Sequence, residues 1–169
     1  MKKKFILLII MTCLLVALPV ASCQQQAITA GNPAPDFELL NLEGESISLS
    51  SLEGRPVILN FWALDCPYCL DEMPYFEMAH NTYGNGEGML AVLAVNVRDS
   101  SSAIEGFLHQ KRYSFEFLRD TGNRVANLYL VSGLPVTILI DKNGIIQDVV
   151  IGAFANWATL KNRLARIIE

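Results

Sequence analysis

The sequence predicts a single α/β domain built on a mixed central β-sheet with helices on both faces. Three observations predict it. The runs "VILNFWA" (57–63), "MLAVLAVNV" (89–97) and "PVTILID" (135–141) are almost continuously apolar, as strands covered on both faces are. Segments of helical period stand between them. After the last run, Asn143-Gly144 turns the chain into "IIQDVVIGA" (145–153), a hairpin signal that adds an antiparallel strand to an otherwise alternating order.

The N-terminus comes first. Lys2, Lys3 and Lys4 precede an apolar stretch of 16 residues, Phe5 to Val20, and the pattern is that of a secretion signal. An uncleaved anchor is the alternative, but the stretch contains Thr12, Cys13 and Pro19, and a spanning helix takes about 20 apolar residues. The ending "VASC" (20–23) resembles a bacterial lipobox, which implies that residues 1–22 are removed as a lipoprotein signal peptide and that Cys23 carries lipid. Ordinary cleavage near Ala21, leaving Cys23 as a spare thiol, is the other reading. Residues 23–34 are polar, small and proline-bearing, and are expected to form a flexible tether ahead of a domain at 35–169.

Removing the signal takes away three of the 13 Lys and Arg and none of the 17 Asp and Glu, so the mature charge is −7. Such a surface excludes nucleic acid as a partner, because binding it requires clustered cations to replace counterions. About 147 residues remain from Cys23, the size of one domain with a proper core.

Along that domain, "DFELLNLEGESISLSSLEG" alternates on both sides of Glu43-Gly44, as an N-terminal hairpin does. A helix is expected from Pro67 to about Tyr83, with Leu70, Met73, Phe76 and Ala79 at helical spacing and the breaker "GNGEG" behind it. A second helix opens at serines 100–102 and runs to about Arg112. There follow a short strand at "FEFLRD" (115–120), a helical turn at "GNRVANLYL" (122–130), and, after the hairpin, an amphipathic helix from Asn156 to Ile168.

The chemistry gathers in "FWALDCPYCLDEMP" (61–74), which holds the only two cysteines beyond Cys23. Cys66 and Cys69 could be a structural staple, half of a metal site, or a pair that makes and breaks a disulfide. Export places them where disulfides persist, which favours thiol exchange over zinc. Pro67 suits the first helical position and sets Cys66 at the helix N-terminus, where the dipole and free N–H groups favour an ionised sulfur. Cys69 is one turn further in, within reach of Cys66.

The buried strand, "FWA", the CxxC at the mouth of a helix, and "GLPVTILIDKNG" about 65 residues later together resemble the thioredoxin fold. The opening "GNPAPDFELLNLEGESISLSSLEGRPVILNFWA" and the CxxCxxExP spacing are similar to the membrane-tethered TlpA/ResA-like thiol-disulfide oxidoreductases of AhpC/TSA-redoxin type, from about Gly31 to Ile167. That resemblance implies that Cys66 attacks, Cys69 resolves, and Glu72 handles protons behind them. It also implies a cis peptide at Pro135, facing the pair, with the Leu134 backbone open to an extended substrate. Trp62, Leu64, Tyr68 and Leu134 would rim a shallow groove, although Trp62 could equally be core filler. Asp65 stands where this fold commonly has tryptophan, and its charge opposes a thiolate at Cys66 unless solvent screens it. Asn60 replaces the aspartate usual in cytoplasmic thioredoxins.

The resemblance further implies partners in protein thiols and disulfides, with apocytochrome c as the suggested substrate and a membrane dithiol as electron donor. No cofactor and no metal are expected. Two other activities share parts of this pattern. Peroxiredoxins share the opening and the fold, but their reactive cysteine follows a threonine setting that is missing before Cys66. A copper carrier would need a distant histidine, for which His80 or His109 would have to serve. A pure staple gains little from so short a loop.

Overall fold

The computed structural model describes residues 27–84 and 89–168. The signal and lipid attachment expected at residues 1–23 lie outside the described residues, as do residues 24–26 of the expected tether.

The elements are β1 (Glu38–Asn41), β2 (Ser46–Ser48), a 3-10 turn (Ser50–Leu52), β3 (Val57–Trp62), α1 (Pro67–Tyr83), β4 (Ala91–Asn96), α2 (Ser101–Lys111), β5 (Glu116–Arg119), α3 (Arg124–Leu128), β6 (Val136–Ile140), β7 (Ile146–Ile151) and α4 (Trp157–Ile168). The strands form one seven-stranded sheet in the order β2-β1-β5-β4-β3-β6-β7. β3, β4 and β5 run parallel to one another, and β6, β7 and the β1–β2 hairpin run antiparallel to their neighbours. This is the thioredoxin-like fold, and its extra hairpin extends the sheet through β1 and β5.

The strand period of two splits β3 between two cores. Ile58 and Trp62 face a core shared with α1, α2 and α4, while Val57, Leu59 and Phe61 face one closed by α3 and the N-terminal segment. Asn60 therefore points toward α1, and it is fully buried.

One local reading needs adjustment. Residues 31–34 belong to the domain and not to a tether: the Gly31 N–H donates to Ile146 O (2.8 Å), Ile146 N–H to Asn32 O (2.9 Å) and Ala34 N–H to Gly144 O (2.8 Å). Their backbone groups follow the free edge of β7, where an unpaired strand would otherwise face solvent. The Asn143-Gly144 hairpin closes through a three-residue loop: Asp141 N–H donates to Ile145 O, and Asp141 Oδ1 accepts from Asn143 and Ile145 N–H. Only Gly144 takes a positive φ there, 75°, which a glycine adopts at no steric cost.

Candidate active site

The site lies at the C-terminal end of β3, where the sheet hands the chain to α1. Ala63 O accepts the Cys66 N–H (3.3 Å) and Trp62 O accepts the Val97 N–H (3.2 Å). Asp99 pins the intervening loop: its Oδ2 accepts from Leu64 N–H (2.7 Å) and from Asn96 Nδ2 (2.8 Å). Sequence reasoning missed Asp99, because a surface aspartate after a strand carries no pattern that distinguishes it from a helix-capping acid.

Cys66 caps α1 and Pro67 occupies its first turn. Cys66 O accepts from Cys69 and Leu70 N–H, and the Cys69 amide also points at Cys66 Sγ (3.3 Å). The two cysteines are joined as a disulfide, with Cα atoms 5.3 Å apart. They are not equivalent. Cys66 keeps 9% of its surface in solvent, and Cys69 keeps none. A partner sulfur can reach Cys66 alone.

Glu72 follows Cys69 by three residues, on the same side of α1, and is fully buried. Its Oε1 accepts from Asn60 Nδ2 (3.0 Å) and its Oε2 from the Phe154 N–H (3.0 Å). Burial pushes the carboxyl up from 4.5 to about 7, against the two hydrogen bonds, which favour the ionised form. A group with that value exchanges a proton near neutrality. Asn60 Nδ2 donates in addition to Thr137 Oγ1 on β6 (2.9 Å).

The Leu134–Pro135 peptide is cis. Register pairs Phe61 with Val136, so Pro135 sits level with the end of β3, beside the loop that carries Cys66. Leu134 and Leu64 pack against the cluster that contains both cysteines. Tyr68 is 70% exposed, so the rim has an aromatic side chain in solvent. Trp62 is not part of that rim. Its ring is fully buried against Phe107 and Phe117, because the parity of β3 turns it inward, and its place is in the core. Ile151, paired with Val136 and 84% exposed, supplies apolar surface beside Pro135 that the sequence reading overlooked.

Asp65 is exposed, but its charge is met: Arg98 Nε lies 3.3 Å from Asp65 Oδ1. Arg98 stands 33 positions away in the sequence, and only the parallel pairing of β3 with β4 brings the two loops together. His80 is in the last turn of α1, roughly 20 Å along the helix from Cys66, and His109 is in the last turn of α2. Among the described residues no three His, Cys, Asp or Glu side chains gather as a metal site.

The chain matches the AhpC/TSA family over residues 30–149. It is 37% identical over 129 residues to the thiol-disulfide oxidoreductase ResA of Geobacillus kaustophilus (strain HTA426), covering 76% of this chain and 73% of the relative. ResA of Bacillus subtilis (strain 168) is 36% identical over 128 residues, covering 76% and 70%. Among solved structures, a candidate thiol:disulfide interchange protein DsbE from Chlorobium tepidum superposes with a TM-score of 0.76 at 31% identity, covering 83% of this chain and 99% of that one.

Proposed function

From the premise that the chain belongs to the AhpC/TSA family and is a thiol-disulfide oxidoreductase of ResA and DsbE type, we propose that it is a membrane-tethered reductant of extracytoplasmic protein disulfides. The observation that carries the reading is the asymmetry of the pair: a reachable Cys66 at a helix N-terminus, and a buried Cys69 backed by a buried carboxyl.

The chemistry follows from that asymmetry. In the dithiol form, the Cys66 thiolate attacks one sulfur of a substrate disulfide, and the other substrate sulfur leaves as a thiolate and takes a proton from solvent. Cys69 then gives its proton to Glu72 and attacks Cys66 Sγ. The mixed disulfide breaks, the second substrate thiolate departs, and the enzyme holds the Cys66–Cys69 disulfide. Two electrons have passed to the substrate, and a membrane dithiol restores the enzyme. The extended substrate segment lies against Leu134, Pro135, Tyr68 and Asp65, with backbone pairing as in strand addition. Lipid on Cys23 holds the domain at the outer face of a bacterial membrane or in the periplasm. Apocytochrome c is the substrate class to try first.

Trapping tests the reading. Cys69→Ser removes the resolving thiol, so the full-length protein expressed in a bacterial host should accumulate mixed disulfides on Cys66 with exported proteins. Recovery of no adduct, or of the same adducts from Cys66→Ser, would reject it.

A further inference from the structure

Asn60, Glu72 and Thr137 form a fully buried polar group, and one atom of it has no partner: Asn60 Oδ1. Buried polar atoms are nearly always paired, and an orphan calls for an explanation. The orphan belongs to the same amide whose nitrogen serves Glu72.

Glu72 has two oxygens with unlike partners. Oε2 accepts from the Phe154 backbone N–H, which can only donate. Oε1 accepts from Asn60 Nδ2. When the carboxyl takes a proton, the Oε2 bond keeps its full strength only if the proton resides on Oε1, since a hydroxyl oxygen accepts more weakly than a carbonyl oxygen. On Oε1 it meets a second donor, and a buried hydroxyl without an acceptor is destabilising. An amide resolves the conflict by rotating half a turn, because its two ends have nearly the same shape and opposite hydrogen-bonding character. Thr137 does not oppose the turn, since its hydroxyl accepts from Nδ2 in the observed state and donates equally well to an oxygen. At the far end the observed Oδ1 has no partner to lose. The turn exchanges that unpaired acceptor for unpaired N–H donors, so this end sets the cost of the reversal against the two bonds remade at Glu72 and Thr137.

We propose that Asn60 is a positioning residue whose amide reverses with the proton on Glu72, donating through Nδ2 to the carboxylate and accepting through Oδ1 from the acid. The inference rests on the reading of Glu72 as the proton acceptor for Cys69 and adds how the fold accommodates both of its states. In the resolving step the Cys69 S–H bond breaks, the proton becomes an O–H on Oε1, and that O–H donates to Asn60 Oδ1. When Glu72 later releases the proton the amide turns back. The ionisable groups on α1 nearest Glu72 on its inward side are Cys66 and Cys69. Its hydrogen-bond partners from β3 and the loop after β7 are Asn60 and the Phe154 backbone amide, with Thr137 of β6 bonded in turn to Asn60, and none of these titrates. No charged side chain contributes to its raised value.

Infrared difference spectra of the full chain in its disulfide form test this, since neither cysteine then carries a proton. Spectra at about pH 5.5 and about pH 8.5 bracket Glu72 and leave ordinary carboxylates ionised. With asparagine labelled at the side-chain carbonyl, acidification should shift one labelled carbonyl band to lower frequency as Oδ1 gains a donor. The unlabelled acid band of Glu72 should appear in step, and both changes should vanish in Glu72→Gln. An acid band with no accompanying amide shift would overturn the reversal and leave the role of Glu72 standing. Absence of any acid band between those pH values would overturn both. A labelled shift that persists in Glu72→Gln would belong to another asparagine and would also overturn the assignment.

Discussion

At Glu72 the fold lifts a carboxyl from 4.5 to about 7, chiefly because burial removes water from the charged form. Between those values the native state holds a proton that the unfolded chain lacks, so stability falls as pH rises from about 4.5 through about 7, by roughly 3 kcal/mol in all. Glu72→Gln removes that dependence. Its stability relative to the parent protein should therefore increase by a similar amount between about pH 4 and about pH 8, measured by urea unfolding of the disulfide form; a constant difference would contradict a native carboxyl near 7. The same variant should lose turnover, by about tenfold to a hundredfold in dithiothreitol-driven insulin reduction, while keeping its circular dichroism. An unchanged rate from about pH 5 to about pH 9 would remove Glu72 from the chemistry. Arg98 acts through charge instead. With Arg98→Gln, Asp65 faces Cys66 uncompensated, and alkylation of reduced Cys66 by iodoacetamide should slow a few-fold at low ionic strength. The effect should fade at about 1 M salt, where charges more than about 3 Å apart are screened.

Among the elements, β3 and α1 were the most legible, because a continuous apolar run and a proline after the first cysteine are strong local signals. Boundaries of the other elements fall within about two residues of expectation, the usual fraying of ends, except in the N-terminal hairpin, whose second arm ends at Ser48 and gives way to a 3-10 turn at Ser50–Leu52. What sequence could not give was contact between distant loops. The Arg98–Asp65 pair, the Asp99 anchor and the Phe154 amide on Glu72 each depend on which strands lie side by side. The alternation in β3 did hold one overlooked clue: Asn60 is two residues from Trp62 and so shares its inward face, as does Thr137 in the apolar run of β6. The β6–β7 loop offers a test at this scale. Gly144 has room for a Cβ but a φ of 75°, so Gly144→Ala should cost about 1 kcal/mol by urea unfolding and leave insulin reduction unchanged at room temperature. A loss of activity without a loss of stability would mean that the hairpin transmits its register to Pro135 and Phe154.

Across the whole molecule, the sheet converges four separate segments on one pair of sulfurs: the β3–α1 junction, the β4–α2 loop with Arg98 and Asp99, the loop into β6 with Pro135, and the chain after β7 with Phe154. Their combined electrostatics bear on direction of electron flow. A strong oxidant needs a thiolate so stabilised that the dithiol is greatly preferred, as in DsbA near −120 mV, whereas thioredoxin lies near −270 mV. Here the helix N-terminus and one amide favour the Cys66 sulfur as an anion, Asp65 opposes it, and Arg98 cancels much of Asp65. The balance leaves moderate stabilisation. Equilibration of the purified domain with a dithiol buffer should therefore give a potential nearer −270 mV than −120 mV. Asp65→Asn should raise it and Arg98→Gln should lower it, since the first removes a charge that disfavours thiolate and the second exposes that charge. A parent value above about −150 mV would make the protein an oxidant and overturn the reductant reading, while the trapping of mixed disulfides on Cys66 would still hold.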